Sequence, residues 1–195
     1  LKPGLIFIGR DSRPSGEDLL DSFASELVRL GRDVIICGIV PTPTVQFMVE
    51  RSEAAGGIII TASHNPPSYN GFKIKAHYGG PAVQAEIDAV ETKIPSEFKP
   101  TTLPFDTIKD HKLVHIIDME QEYIDHVRKN FDIDKINSCG LKFGYDAMYG
   151  AGQNVIRRLI PNATLLHADY NPSFDGQAPE PIARNLSEFS TLTAN

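Results

Sequence analysis

Short β-branched apolar runs alternate with amphipathic stretches over the first sixty residues, and this alternation constrains the fold more than any other feature. Leu5-Ile6-Phe7-Ile8 reads as a buried strand. Leu19, Leu20, Phe23, Leu27 and Leu30 then recur at three- to four-residue spacing, the inward stripe of a helix that Gly31 is placed to end. Val34 to Val40 is a second buried strand, followed by Pro41-Thr42-Pro43-Thr44. Thr42 or Thr44 can cap a helix running to about Ala54, with Val45, Met48 and Val49 inward. Gly57-Ile58-Ile59-Ile60 is the third strand. Runs that are apolar on both faces belong to parallel sheets covered by helices on both sides. The pattern predicts an α/β fold: a three-layer α/β/α domain with a mixed, mostly parallel sheet.

Beyond this core, Phe72-Lys73-Ile74-Lys75 alternates as a half-buried strand does. Pro81 to Ile94 suits a helix with Val83, Ile87, Val90 and Ile94 on one face. Pro95 to Asp110 reads as loop, Lys112 to Ile117 as extended, and Met119 to Asn130 as a helix with Tyr123, Ile124 and Val127 inward. A boundary is expected in Phe131 to Ser138, giving a first domain over residues 1–133 and part of a second, similar domain over 134–195. The second starts with a strand at Leu141 to Asp146, a helix at Gln153 to Ile160 and a strand at Ala163 to His167. That is too little sheet to close a domain. The chain also opens at Leu1, without methionine and almost directly on a strand, as expected of a piece of a longer protein.

Charge and composition narrow the function classes. A formal net charge of -6 argues against nucleic-acid and anionic-membrane partners, which need a basic surface. No apolar run approaches the ~20 residues of a membrane-spanning helix. No signal peptide is evident, and the expected location is cytoplasmic. Cys37 and Cys139 are expected to be small buried residues in a reducing compartment.

Chemistry concentrates in two loops that leave the carboxyl ends of strands, where open α/β sheets place ligands. The first is Thr61-Ala62-Ser63-His64-Asn65-Pro66-Pro67, with Asn70-Gly71-Phe72-Lys73 just beyond it. It lacks the Gly-x-Ser-x-Gly elbow of hydrolases, and a histidine adjacent to its serine is poorly placed as a base. A serine-rich turn that merely ends a strand is the plain alternative. The second loop is Gly9-Arg10-Asp11-Ser12-Arg13. Arg10 and Arg13 can hold a phosphate through charge-assisted hydrogen bonds, or can simply pair with Asp11, Glu17 or Asp18. With Lys73 and Lys75 added, several cations converge on one serine, which suits a multiply negative ligand.

Three other patterns carry less. Gly150-Ala151-Gly152 precedes a helix and Asp169 follows the next strand, but Val155 stands where a dinucleotide fingerprint needs its third glycine. His111 and His115 lack a carboxylate partner for a zinc site. Asp132 and Asp134 form a lone Asp-x-Asp suited to a turn.

At Thr61 to Lys73 the sequence resembles the α-D-phosphohexomutases, whose phosphoserine loop reads Thr-(Ala/Gly)-Ser-His-Asn-Pro followed by Asn-Gly-(Phe/Tyr)-Lys. Gly9 to Arg13, Val40 to Pro43, Asp146 to Gly152 and Phe174 to Pro181 are similar to further family segments. The resemblance implies that Ser63 carries the phosphoryl group, with His64 and Lys73 as catalytic neighbours and Mg²⁺ bound in part through the serine's phosphate. It implies hexose phosphate and hexose 1,6-bisphosphate as ligands, with glucose or mannose favoured by the Asn70-Gly71-Phe72-Lys73 form. The family's Asp-Gly-Asp-x-Asp-Arg metal loop and its third and fourth domains are not in this sequence. The piece alone is therefore expected to be inactive. A sugar-phosphate-binding remnant, a phosphoglucosamine mutase and a serine hydrolase are the competing expectations.

Overall fold

The computed structural model describes residues 4–97 and 105–194. The expected loop segment between 98 and 104 lies outside the described residues. Strands β1 (Ile6–Arg10), β2 (Val34–Ile39), β3 (Gly56–Ile60), β4 (Phe72–Lys75) and β5 (Val114–Ile116) form one sheet in the order β4-β3-β1-β2-β5. All its pairings are parallel except β3 with β4, so the sheet is mixed and mostly parallel.

Helices cover both faces. On one side α1 (Gly16–Arg29) buries Leu20, Ala24 and Leu27 against Ile6, Ile8 and Ile58, with Ile108 of the short helix α4 (Phe105–Ile108) added. On the other, α2 (Thr42–Arg51) buries Val45, Met48 and Val49 against Phe7 and Ile59. The glycines of the sheet set how closely α2 can sit. A Cβ on Gly57 would lie 2.7 Å from Val49, and one on Gly9 would lie 2.9 Å from Val45. The three layers predicted from the alternation are present.

Three local readings change. Leu19 and Leu30 of the α1 stripe are exposed, because only the narrow face at Leu20 and Leu27 meets the sheet. Gly31 ends α1 as expected: it has φ 71°, its N–H reaches Val28 O, and Arg32 N reaches Leu27 O. No threonine side chain caps α2; its N-cap is Pro41. Helix α3 is shorter than predicted, Gln84–Glu91, and buries none of its residues. It stands off the sheet across a cavity of about 490 Å³ lined by Phe23, Phe72, Ile74 and Val90.

The second unit contains β6 (Gly144–Asp146) and β7 (Thr164–Leu166), a parallel pair, with α7 (Gln153–Leu159) between them. Helix α5 (Met119–Asn130), capped by Asp118 accepting from Gln121 N, packs Ile124 on Val155 and Leu159 of α7. At its start Met119 joins the cluster around Phe7 and Ile59, and His126 stacks on Phe47, so α5 packs on both units. Helix α8 (Ser187–Ala194) packs on β6, and α6 (Ile133–Ser138) reaches α7 through Asn137 Nδ2, which donates to Leu159 O at 3.0 Å. Asp132 caps α6 through Lys135 N, which explains the lone Asp-x-Asp. Both cysteines are free, but only Cys37 is buried; Cys139 is exposed at the end of α6, contrary to expectation. Burial pushes the Cys37 thiol up to about 12. Among the described residues, no helix is long and apolar enough to cross a membrane.

Candidate active site

The strand order locates the site before any side chain is considered. From β1 the chain moves to β2 on one side, then returns to β3 on the other side of β1. This reversal opens a crevice at the carboxyl ends of β1 and β3, the switch point where such sheets bind ligands. The two chemistry-bearing loops of the sequence leave these two strand ends.

The serine loop is closed at its base by Thr61 N donating to Gly71 O at 2.9 Å. Gly71 must be glycine here, since a Cβ would lie 2.8 Å from Thr61 O. Asn70 braces the same turn, accepting from Gly71 N at 2.9 Å and donating to Ser15 Oγ at 3.0 Å. Asn65 Nδ2 donates to Ala62 O at 2.9 Å. At the exposed tip, Ser63 has φ 58°, a left-handed conformation that is unfavourable for serine. Its N–H donates to Thr61 Oγ1 at 3.0 Å, so the strained turn is held by a hydrogen bond while the serine hydroxyl faces outward.

The loop from β1 supplies the rest of the scaffold. Asp11 Oδ2 accepts from Thr61 Oγ1 at 2.6 Å and from Arg13 Nε at 3.0 Å. Asp11 Oδ1 accepts from Arg13 N at 3.1 Å. Arg13 is fully buried. Its terminal nitrogens donate to Ser63 O at 2.9 Å, Asn65 O at 2.7 Å, Tyr69 O at 3.1 Å and Pro66 O. A guanidinium has five N–H donors, and here each meets an oxygen of the protein. The serine loop is wound around this side chain.

The cations therefore take different places from those expected. Arg13 has no donor left for a phosphate in this conformation; it shapes the loop. Arg10 pairs with Glu17 at 3.1 Å and donates to Asp11 O, the pairing that sequence reading had set beside phosphate binding. Lys75 is 5 % exposed, and burial, followed by the charge of Lys73, lowers its pKa. Lys73 is exposed, in register opposite Ile59 two residues before Thr61, and makes no ion pair among the described residues. His64 is exposed as well, with Nδ1 3.4 Å from Ser63 Oγ. That is longer than the ~2.6–3.2 Å reach of a working general base. What sequence reading missed is the joint role of Asp11, Thr61 and Arg13. Its signal was available in the spacing: Asp-x-Arg and Thr-x-Ser, each starting where a parallel strand ends.

The metal implied by the resemblance finds little here. Among the described residues, no group of three or more His, Cys, Asp or Glu could hold an ion. Asp11, the carboxylate nearest the loop, is already spent on Thr61 and Arg13. A phosphate on Ser63 could contribute one ligand, but the described residues do not by themselves make a metal site.

Comparison with known proteins agrees with the fold. The phosphoglucomutase/phosphomannomutase models for α/β/α domains I and II match residues 1–101 and 121–195. The chain belongs to this family, a family of phosphohexomutases. It is 32% identical over 192 residues to a phosphoglucomutase/phosphomannomutase of Thermococcus kodakarensis, covering 96% of this chain and 41% of that protein. It is 30% identical over 192 residues to a phosphoglucosamine mutase of Levilactobacillus brevis, covering 94% and 38%. A Thermus thermophilus structure described as a candidate phosphomannomutase superposes with TM-score 0.85 at 29% identity, over 98% of this chain and 43% of that one. The chain spans about two fifths of the length of the relatives it matches.

Proposed function

We propose that the protein containing this chain interconverts hexose 1- and 6-phosphates through a phosphoryl group carried on Ser63. The single observation that carries the reading is the serine itself: an exposed hydroxyl on a strained turn whose backbone is fixed from below by Asp11, Thr61 and Arg13. Phosphoryl transfer depends mainly on positioning and on stabilising charge, and it needs no activated serine base in the hydrolase sense. The poor Ser63–His64 geometry disfavours acyl transfer but does not impede this chemistry.

In the proposed cycle, the bond between phosphorus and Ser63 Oγ breaks as a bond to the sugar hydroxyl oxygen forms. Lys73, exposed on the neighbouring strand and acting as the amine, takes up the hydroxyl proton, while His64 orients the group and supplies a proton to the departing Ser63 Oγ. The resulting hexose 1,6-bisphosphate reorients, Ser63 Oγ attacks the other phosphate and gives its proton back to His64, and Lys73 returns its proton to the sugar oxygen that leaves. Mg²⁺, whose remaining ligands are expected outside this chain, neutralises charge on the phosphoryl oxygens when bound. Glucose and mannose phosphates are the proposed substrates, from the Asn70-Gly71-Phe72-Lys73 form of the loop. The relatives named phosphoglucosamine mutase favour a second reading in which the sugar is glucosamine phosphate.

The test is the intact mass of the whole protein as purified. One phosphoryl group adds about 80 Da. That increment should vanish in Ser63→Ala and on incubation with an excess of hexose monophosphate. An unmodified serine that no hexose 1,6-bisphosphate can load would refute the reading. The sugar that discharges the phosphoenzyme fastest decides between hexose and glucosamine.

A further inference from the structure

The five in-plane donors of Arg13 are satisfied inside the first domain, which leaves only the flat faces of its guanidinium to be covered. One face meets Phe174 of the second unit, whose ring centroid lies 5.1 Å from Arg13 Cζ. Phe174 is 3 % exposed, so this contact is desolvated. Beside it, Ser12 Oγ donates to Tyr149 O at 2.8 Å, a second bond between the β1 loop and the second unit.

The backbone that presents the ring is unusual. Phe174 has φ 52°, Asp175 φ 55° and Gly176 φ 74°, three left-handed residues in succession. A glycine would occupy the first of these positions without strain, whereas an aromatic residue there is disfavoured. Strain of this kind persists where the surroundings over-determine it, and here it aims a ring at a cation. Strained residues thus stand on both sides of Arg13, Ser63 in one unit and Phe174 in the other.

We propose that Phe174 is a positioning residue for Ser63: its ring seats on the Arg13 guanidinium, and Arg13 holds the serine loop through the carbonyls of Ser63, Asn65, Pro66 and Tyr69. Docking of the second unit is thereby coupled to order in a loop more than a hundred residues away in sequence. The purpose of the coupling, a phosphoryl carrier that is ordered only when the units are joined, rests on the function proposed above. The coupling itself does not.

The experiment replaces Phe174 in the whole chain with phenylalanines bearing one, two and three fluorines. These drain the negative potential of the ring face with little change of shape. Amide hydrogen exchange is then read at Ser63, Asn65 and Tyr69, with Phe7 and Ile59 as core references. Protection at the three loop amides should fall with each fluorine, to about tenfold for the trifluorinated ring, as suits loss of a desolvated cation–π contact. The core amides should not move. Phe174→Leu should loosen the loop at least as much. A flat response across the fluorinated series overturns the proposal, as does equal acceleration of loop and core. A Ser63→Ala chain should show the same gradient, so failure of the phosphoryl reading and failure of this coupling give different results.

Discussion

The two units follow the same strand–helix–strand plan with very different completeness. In the first, five strands carry a core on each face, and the residues of β1 from Ile6 to Ile8 are fully buried. In the second, a pair of three-residue strands is served by a small cluster around Ile124, Val155 and Leu159. Hydrophobic stabilisation scales with the apolar area removed from water, so the first unit should carry most of the chain's stability. The second contributes less to stability, but it supplies the ring that covers Arg13. The difference teaches that a chain can carry its stability in the unit with the larger sheet and still depend, at its site, on the unit with the smaller one.

The largest expected effect falls at the junction of the two units. Arg13→Met orphans Asp11 and four loop carbonyls, and breaking a buried pair from one side costs about 3–5 kcal/mol. Urea denaturation should register that loss, and Arg13→Lys should recover little of it, because a point charge cannot serve five acceptors. Recovery to the parent stability by lysine would mean that charge, not the planar fork, holds the loop. Next comes a pair that tests the comparison directly. Phe7→Ala should cost about 3–5 kcal/mol, and Leu159→Ala about 2 kcal/mol, the lower end of the range for such truncations. Equal losses in a single shared transition would break the distinction between a complete unit and an incomplete one.

The smallest effect comes from Lys75. Its folded-state pKa lies below its ordinary value of 10.5, because burial and the neighbouring Lys73 charge disfavour the ammonium. The unfolded chain therefore binds more protons in the window between the lowered value and 10.5, and stability rises with pH across it. Below that window the penalty is present in full. Lys75→Met should raise the Tm at neutral pH by roughly 1–2 °C, and the gain should fade as the pH approaches the ordinary lysine value. A gain that grows with alkalinity would contradict the sign.

Local periodicity made most of the first unit legible. The strands at Ile6, Val34 and Ile58 and the inward residues Val45, Met48 and Val49 follow from spacing alone, since a residue that must face a sheet recurs at the period of its own element. Leu19, Leu30 and α3 were misjudged because periodicity gives the direction of a face but not whether a neighbour is there to cover it. The site divides along the same line. Ser63, His64 and Lys73 could be named from one contiguous motif. The change of Arg13 from ligand binder to loop scaffold depended on carbonyls some fifty residues away, which no local pattern records.

By itself the sequence determined the layer architecture and the two polar loops, one of them carrying the serine, that leave the ends of β1 and β3. That these ends adjoin in one crevice is a matter of strand order, which the tertiary structure supplies. Tertiary structure decided which cations remain free to meet a ligand. Arg10, Arg13 and Lys73 all carry a positive charge but sit in very different surroundings: one is paired with Glu17, one is enclosed by the loop it shapes, and one stands exposed on an edge strand. Charge is a property of the residue. Its availability is set by which acceptors the fold brings within about 3 Å, hydrogen-bond distance.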